Sequence, residues 1–331
     1  MKKILIISLL TITIFACFLN SCKKQVVPTV TTSSVADITG TATSCGGGIT
    51  DQGSGDITDR GICWSTGGTP TISDYKASSG AGIDDFTALL QNLDISTTYY
   101  VRAYATNKAG TGYGEIRSFT TLLADYDGNN YTTVTAGIQV WMVENLKTTR
   151  YNDGTAIPLA PAVTNWSTMN TPAYWWYNDD DATYKAAYGA LYNWYAVNTG
   201  KLCPKGWHIP SYSEWVALSS YLTDSGHGFG GSGSDIGKSL AATSGWLASS
   251  EPGSIGNDQP GNNRSGFKAM PGGMFIEGEY FVLGETGSWW SSTAIDGSAA
   301  AWSRQLNYSG TGFSDVAYSN HCGLSVRCIR D

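Results

Sequence analysis

From Pro28 to Thr121 the chain runs in short alternating stretches, each cut by Gly, Asp, Asn or Ser. Ile62 and Trp64, then Tyr99, Val101, Ala103 and Ala105, stand at every second position. Side chains two apart on a strand share a face, so this spacing predicts half-buried strands rather than helix. About 95 residues of such strands are enough for two packed sheets, a single β-sandwich. Leu122 to Ala124 then make a short joint without proline, and at Asp125 the texture changes to one dense in aromatic rings.

The stretch from Leu93 to Asn107 resembles the penultimate strand of fibronectin type III domains, and residues 28–122 are similar to a fibronectin type III/immunoglobulin-like β-sandwich. The resemblance implies that Leu93, six residues before Tyr99, marks a corner where the tyrosine hydroxyl bonds back to the main chain. Ala109 to Gly114 would be the hairpin turn and Glu115 to Thr121 the last strand. Gly46-Gly47-Gly48 and Gly67-Gly68 are followed neither by Lys-Ser/Thr nor by a helix start, so they are turns rather than phosphate cradles. A spacer is the role this domain suits.

The start of the chain is of another kind. Lys2 and Lys3 precede an uncharged run from Ile4 to Leu19, and Asn20-Ser21-Cys22 follows. A charged head, a short apolar stretch and small residues before a cut site describe a secretory signal, placed at residues 1–21. Leu19-Asn20-Ser21-Cys22 resembles the lipobox of bacterial lipoproteins, which implies diacylglycerol on the Cys22 sulfur and a lipid anchor with linker over residues 22–27. Stable anchoring takes more than one acyl chain. The implied location is the outer membrane. Lys23-Lys24-Gln25 stand where surface-displayed lipoproteins of the Bacteroidetes carry acidic residues, so the cell surface and the periplasmic face are both open. No later segment is apolar for long enough to span a bilayer.

Without Lys2 and Lys3, 18 basic residues face 27 acidic ones, a formal charge of −9. That balance argues against nucleic acid or an anionic lipid surface as partner. Of the seven cysteines, Cys17 leaves with the signal and Cys22 carries lipid. Export permits disulfides, and the pairings considered are Cys45 with Cys63 and Cys203 with Cys328, leaving Cys322 free or in competition for Cys203.

In residues 125–331 the run Asp125-Tyr126-Asp127-Gly128-Asn129 looks like a calcium loop, but its twelfth position is Ala136 where a bidentate Glu is needed. It is better read as a tight turn before a hairpin of Tyr131–Val134 and Ile138–Met142, bent at Gly137. A helix is predicted over Tyr184–Val197, with Tyr188, Leu191, Tyr192 and Tyr195 on one face and Gly200 as its stop. A second starts at Ser211, where Ser211 and Glu214 form a capping box and Trp215, Leu218 and Leu222 face the core. From Gly226 to Ser265 the chain is a glycine-rich loop region with one short helix near Ile236 to Leu240. Strands follow around Phe275, Tyr280–Leu283, Trp289–Ser292, Ala301–Leu306 and Leu324–Ile329. Asp179, Asp180 and Asp181 read as a solvated turn.

The stretches DGNNYTTV (127–134), QVWMVENL (139–146), YNDGTAIP (151–158), YGALYNWYAV (188–197), CPKGWHIPSYSEW (203–215), FKAMPGG (267–273), WWSST (289–293) and GLSVRCIRD (323–331) resemble the Fibrobacter succinogenes major paralogous domain. The resemblance implies an α+β C-type-lectin-like domain: two helices on a small antiparallel sheet with a long loop region. It also implies a disulfide from the helical region to the last strand, in favour of Cys203 with Cys328.

Enzymatic signatures are missing from the sequence. His208, His227 and His321 belong to no zinc-protease motif or nucleophile elbow. His208 precedes a helix cap and suits a core hydrogen bond. His321 adjoins Cys322, but neighbours on a strand point to opposite faces. Cys322 and Cys328 resemble the cysteine pair of the formylglycine-generating enzyme of the same fold, without its surrounding motif. Sugar-binding C-type lectins hold calcium with Glu-Pro-Asn or Gln-Pro-Asp; here Glu251-Pro252-Gly253 and Gln259-Pro260-Gly261 lack the third ligand. Asn257, Asp258, Asn262 and Asn263 still offer oxygen atoms, so calcium stays open as a ligand, with no other cofactor expected. Binding of a glycan or protein ligand is expected instead, on exposed groups drawn from Trp246, Asn262, Asn263, Arg264, Asn307, Tyr308, Tyr318 and Asn320. Most tryptophans, among them Trp207, Trp215, Trp289 and Trp290, are read as core. The alternatives are a structural envelope or matrix component, and an enzyme acting on thiols or carbohydrates.

Overall fold

The computed structural model describes residues 24–160 and 166–331. The signal segment 1–21 and Cys22 lie outside the described residues. The first strands are β1 (Thr29–Thr32), β2 (Thr43–Asp51), β3 (Asp59–Ser65), β4 (Tyr75–Ser78), β5 (Phe86–Leu90), β6 (Thr98–Asn107), β7 (Gly110–Tyr113) and β8 (Arg117–Thr120). One sheet has the order β1-β2-β5, the other β4-β3-β6-β7, with β8 also pairing β6. Tyr99, Val101, Ala103 and Ala105 of β6 point inward beside Ile62 and Trp64, and meet Val30, Cys45 and Leu90 from the facing sheet. This is a fibronectin type III/immunoglobulin-like sandwich: the alternation predicts its strands, and the resemblance implies its class.

The tyrosine corner is present: the Asp94 N–H donates to the Tyr99 hydroxyl oxygen at 3.0 Å. The hairpin is tighter than expected. It turns on Lys108 and Ala109, and Gly110–Tyr113 already belongs to a strand. The expected Cys45–Cys63 bridge does not form; both thiols are free and buried. Cys45 belongs to the core between the sheets. Ile62 and Trp64 point into that core, so the pleat turns Cys63 to the opposite side of its sheet, where its Sγ lies 3.6 Å from the Arg102 carbonyl oxygen.

The joint is hydrogen-bonded on both sides. Leu122 donates to the Thr39 carbonyl at 3.0 Å and accepts from the Ser96 amide at 3.3 Å. Leu123–Ala124 (β9) then pairs with Asn130–Tyr131 (β10). The Asp125 carboxylate closes the turn between them, accepting from the amides of Asp127 and Asn129 and, at 2.5 Å, from the Tyr131 hydroxyl.

Beyond the joint, short strands and a few short helices are set in long irregular stretches. Strands β11 (Thr133–Ala136), β12 (Gln139–Met142), β15 (Trp207–His208) and β22 (Ile329–Arg330) form a sheet ordered β11-β12-β22-β15. A six-stranded sheet ordered β13-β14-β21-β18-β19-β20 joins β13 (Tyr174–Trp175), β14 (Leu191–Tyr192), β18 (Thr286–Ala294), β19 (Ala300–Asn307), β20 (Ser314–Ser319) and β21 (Leu324–Ser325). Strands β16 (Met274–Ile276) and β17 (Glu279–Phe281) make a separate hairpin. Four short α-helices are found among the described residues: α1 (Asp181–Tyr188), α2 (Trp194–Val197), α3 (Tyr212–Asp224) and α4 (Gly237–Leu240).

Helix α3 begins with both halves of the capping box. It buries Trp215, Leu218 and Leu222, with the Trp215 ring 4.6 Å from that of Trp141. The helix expected over Tyr184–Val197 is broken. Gly189 takes φ +73, and a Cβ there would come within 2.6 Å of the Leu146 carbonyl oxygen. The chain therefore leaves α1, passes through β14, and restarts as α2 under an Asn193 cap. The acidic run expected as a solvated turn instead starts a helix: Asp180 caps α1, Asp181 is its first residue, and Asp179 accepts from the Tyr280 hydroxyl.

Between β21 and β22 the side chain of Arg327 is fully enclosed. Its guanidinium donates to Asn145 Oδ1 at 3.0 Å and to the carbonyl of Phe267, and lies 4.2 Å from the Phe267 ring centroid. Asn145 Oδ1 also accepts from Trp289 Nε1 at 2.8 Å, while its Nδ2 donates to Tyr188 O and Ser325 Oγ. Burial pushes the Arg327 pKa down. Next to it, Cys328 is disulfide-bonded to Cys203, while Cys322 is free and buried. Replacing Asn145 with Ala leaves Trp289 Nε1 without its acceptor and Arg327 Nη2 with only the 3.5 Å contact to Lys268 O, and an unmade buried bond to a charged group costs about 2–4 kcal/mol. Urea unfolding of Asn145→Ala should show a loss of that order; a loss below about 1 kcal/mol would show that the network contributes little.

Candidate functional site

The residues expected to bind a ligand do not form one surface. Trp246 is 5% exposed and Asn262 7% exposed, so neither is the exposed group the sequence led us to expect. Trp246 packs in the core with Trp141, Trp215 and Trp289. Gln259 clasps its backbone from both sides, accepting from Trp246 N and donating to Trp246 O. Asn262 spends its amide on the carbonyls of Ala242 and Ile255. Asn263 turns the chain at φ +65, with its side-chain oxygen accepting from Lys268 N. Arg264 is exposed but donates to the Gly226 carbonyl at 2.9 Å. These groups build the loop region rather than line a cleft in it.

Asn257 and Asp258, the candidate calcium ligands, present their main-chain oxygens to the Lys238 ammonium. Among the described residues no cluster of three or more His, Cys, Asp or Glu could hold a metal ion.

Asn307 ends β19 and Tyr308 follows it in a turn. The Asn307 oxygen accepts from Ser309, and Tyr308 exchanges backbone bonds with Glu285 and Gly256. Tyr318 and Asn320 lie at the far end of the neighbouring strand. The Tyr318 hydroxyl accepts from Gln305 Nε2 at 2.7 Å, and its ring meets the buried Trp290 edge-on at 6.5 Å. Asn320 Oδ1 is buried with no hydrogen-bond partner.

That end of β20 is where partly exposed aromatic and amide groups converge. Ser319 to Cys322 form a turn closed by the bond from Cys322 N to Ser319 O. His321 projects from it, with Nδ1 3.0 Å from Ser319 Oγ and Nε2 3.2 Å from Asn170 Oδ1. The Tyr195 hydroxyl donates to the same Asn170 oxygen at 2.7 Å, and its ring lies 5.5 Å from the imidazole. Trp166 faces the imidazole edge-on at 6.2 Å. The Asn320 backbone oxygen holds Trp194 N, which fixes α2 and hence Tyr195 against the turn. Two rings, an imidazole and an amide thus share one half-exposed patch beside an unsatisfied acceptor. Such a patch can stack on a flat ligand face and exchange hydrogen bonds with its rim. Of the expected residues it includes Asn320 and borders Tyr318. Trp166, Asn170, Tyr195 and His321 as partners were missed, because the first two lie about 150 positions from the last along the chain.

The histidines have ordinary partners. His227 Nδ1 lies 2.7 Å from Ser239 Oγ, and burial lowers its pKa. His321 bonds Ser319 and Asn170 and not the thiol of Cys322, which is 3% exposed. Burial pushes that thiol up to about 11. His208 sits between Glu214 Oε1 at 2.8 Å and Asp331 Oδ1 at 2.6 Å.

A family model described as the Fibrobacter succinogenes major domain matches residues 134–330. The chain belongs to that family. The matched span holds the His321 patch, the loop region and the Arg327 core, and excludes the sandwich. No curated protein matches the chain. Among solved structures, a fibronectin type III domain of human collagen XX is 23% identical, covering 29% of this chain and 94% of its own, with TM-score 0.22. The sensor domain of the anti-sigma factor RsgI4 of Pseudobacteroides cellulosolvens is 14% identical, covering 29% and 95%, also with TM-score 0.22. These likenesses reach under a third of the chain, and the sandwich rests on its own strand order and register.

Within the family domain, His208 supplies a pH-dependent contact. Burial works against its charged form, but the carboxylates of Asp331 and Glu214 outweigh this and raise its pKa above 6.5. For Glu214, burial works against the carboxylate, and bonds from Ser211 and His208 overcome it to hold its pKa below 4.5. A raised histidine stabilises fully below its unfolded pKa and loses that contribution as pH climbs through the folded value. A depressed carboxylate stabilises above its unfolded pKa and loses it as pH falls. The stability deficit of His208→Gln, read from urea midpoints across pH, should therefore be largest between about pH 5 and 6.5 and shrink above that. A deficit that does not vary with pH would refute the charged contact.

Proposed function

We propose that this is a lipid-anchored protein of the bacterial outer membrane whose C-terminal domain, a fold related to C-type lectins, binds a glycan or protein ligand without converting it. The observation that carries this reading is the half-exposed patch of Trp166, Tyr195, His321 and Asn170. Flat rings rimmed by amide and hydroxyl groups suit sugar rings and peptide planes alike.

A non-catalytic role is favoured by the state of the reactive groups. A nucleophilic cysteine needs thiolate character, and Cys322 is enclosed with its pKa raised to about 11. The three histidines are engaged by carboxylate, hydroxyl or amide partners. The acidic balance of the chain disfavours nucleic acid. The sandwich then acts as a spacer between the acylated Cys22 and the binding domain.

Binding is tested with the full-length protein, purified in detergent, on a glycan array and against envelope and host proteins. We expect a ligand whose affinity falls about tenfold in Tyr195→Ala or Trp166→Ala, the scale of one lost aromatic contact. Silence on both panels, or affinities untouched by either substitution in folded variants, would remove the reading. Anchoring is tested separately. Cys22→Ser should move the protein from the membrane to the soluble fraction, and protease shaving of intact cells reports the face it occupies. Membrane retention of Cys22→Ser would contradict the lipid anchor.

A further inference from the structure

The loop from Trp246 to Asn263 closes around one side chain. Lys238, in α4, is 8% exposed although it carries a charge. Its Nζ donates to the main-chain oxygens of Asn257 and of Asp258, the latter at 3.1 Å, and reaches Ser254 O at 3.5 Å. The backbone is bent to allow this: Asp258 stands at φ +50, in the left-handed region. Neighbouring bonds fix the same turns, with Asn257 Nδ2 on Ser249 O and Asn263 N on the Lys238 carbonyl. Burial lowers the Lys238 pKa, opposed by the negative charge of Asp258.

Inward-facing carbonyl oxygens are what a hard metal ion takes as ligands, but calcium needs six to eight oxygens at about 2.3–2.6 Å, several of them from carboxylates. Here the oxygens converge on an ammonium, which takes at most three acceptors. The main-chain oxygens of Asn257 and Asp258 are therefore taken by a covalently tethered cation rather than left free for calcium.

We propose that the Lys238 ammonium is the cation that organises this loop, so that the loop is ordered without calcium. A tethered ammonium brings no loss of translational freedom on each loop closure, and neither a chelator nor a low-calcium medium can withdraw it. The inference concerns the order of the loop and stands apart from the ligand reading above, so its test uses no ligand.

The test is hydrogen exchange of residues 246–263 in the full-length protein, purified in detergent. In the wild type, protection should be the same in excess EDTA and in millimolar CaCl2. Lys238→Ala should lose protection there by tenfold or more, and propylammonium chloride should restore part of it where n-propanol and CaCl2 do not. Lys238→Met keeps the stem without the charge and should also lose protection. Deprotection of the wild type by EDTA would overturn the proposal, as would full protection in Lys238→Met or rescue by n-propanol equal to that by propylammonium. If Lys238→Ala fails to fold, the wild-type and Lys238→Met measurements still decide.

Discussion

A guanidinium removed from water must have its charge and its donors met from within the protein, or the fold loses several kilocalories. Arg327 meets part of that demand, with Nη1 and Nη2 engaged and Nε left without a partner, where the last strands of the family domain cross between sheets. Residues 324–330 serve two sheets: β21 pairs with β14 and β18, and β22 pairs with β12 and β15. Arg327 lies between these strands, at the step from one sheet to the other. Its partners come from segments far apart in sequence: Asn145 after β12, Phe267 at the end of the loop region, and Trp289 in β18. Asn145 is the hinge of the arrangement, since a single oxygen accepts from both Arg327 and Trp289. The Cys203–Cys328 bridge then ties the same crossing to the segment before β15. A closing strand held by a buried cation, an amide and a disulfide leaves little freedom in how the two sheets sit.

What could be read from the sequence was what depends on near neighbours. The Ser211/Glu214 capping box is a matter of three residues, and it forms with α3 behind it. The alternation in β6 follows from the pleat alone, and the tyrosine corner lies within six residues of Leu93. Where the reading failed, a longer-range fact prevailed over a local one. The aromatic stripe from Tyr184 to Val197 has helical spacing, but Leu191 and Tyr192 are taken by strand pairing with β13 and β21, and Gly189 bends the chain against Leu146. The Cys45–Cys63 pairing could have been rejected without coordinates. The alternation that puts Ile62 and Trp64 in the core also turns Cys63 away from it.

The candidate site was less legible, for a physical reason. Periodicity reports which face of an element is buried, and the loop region from Gly226 to Ser265 has none. Trp246, expected as an exposed group, is buried, and polar side chains of the same loop are spent on holding that loop shut. Gln259 clasps its backbone, and Asn262 ties Ala242 to Ile255. The His321 patch was hidden for the opposite reason. It is assembled from the Ser319–Cys322 turn, the start of α2, and the segment around Trp166 and Asn170, which no local periodicity brings together.

The joint bears on how such a patch could be presented. A spacer hung on a flexible linker would leave the orientation of the binding domain to chance. Here Leu122 bonds back to the sandwich while Leu123 and Ala124 already pair with β10. Gly40 of the sandwich approaches so closely that a Cβ on it would lie 2.6 Å from the Ala124 Cβ. Adjacent to this contact, Leu93 and Ile95 from the sandwich and Tyr126, Asn152 and Pro204 from the family domain line a cleft of about 520 Å³. Opposing walls of that cleft come from the two domains, so bending the joint would open or crush it and break the Leu122 bonds at the same time. The corner residues that shape the sandwich also form part of the seat of the family domain. Leu93 and Asp94, next to the bond that fixes Tyr99, both face the cleft. Stability of the sandwich and orientation of the C-terminal domain are thereby linked through one short stretch of chain.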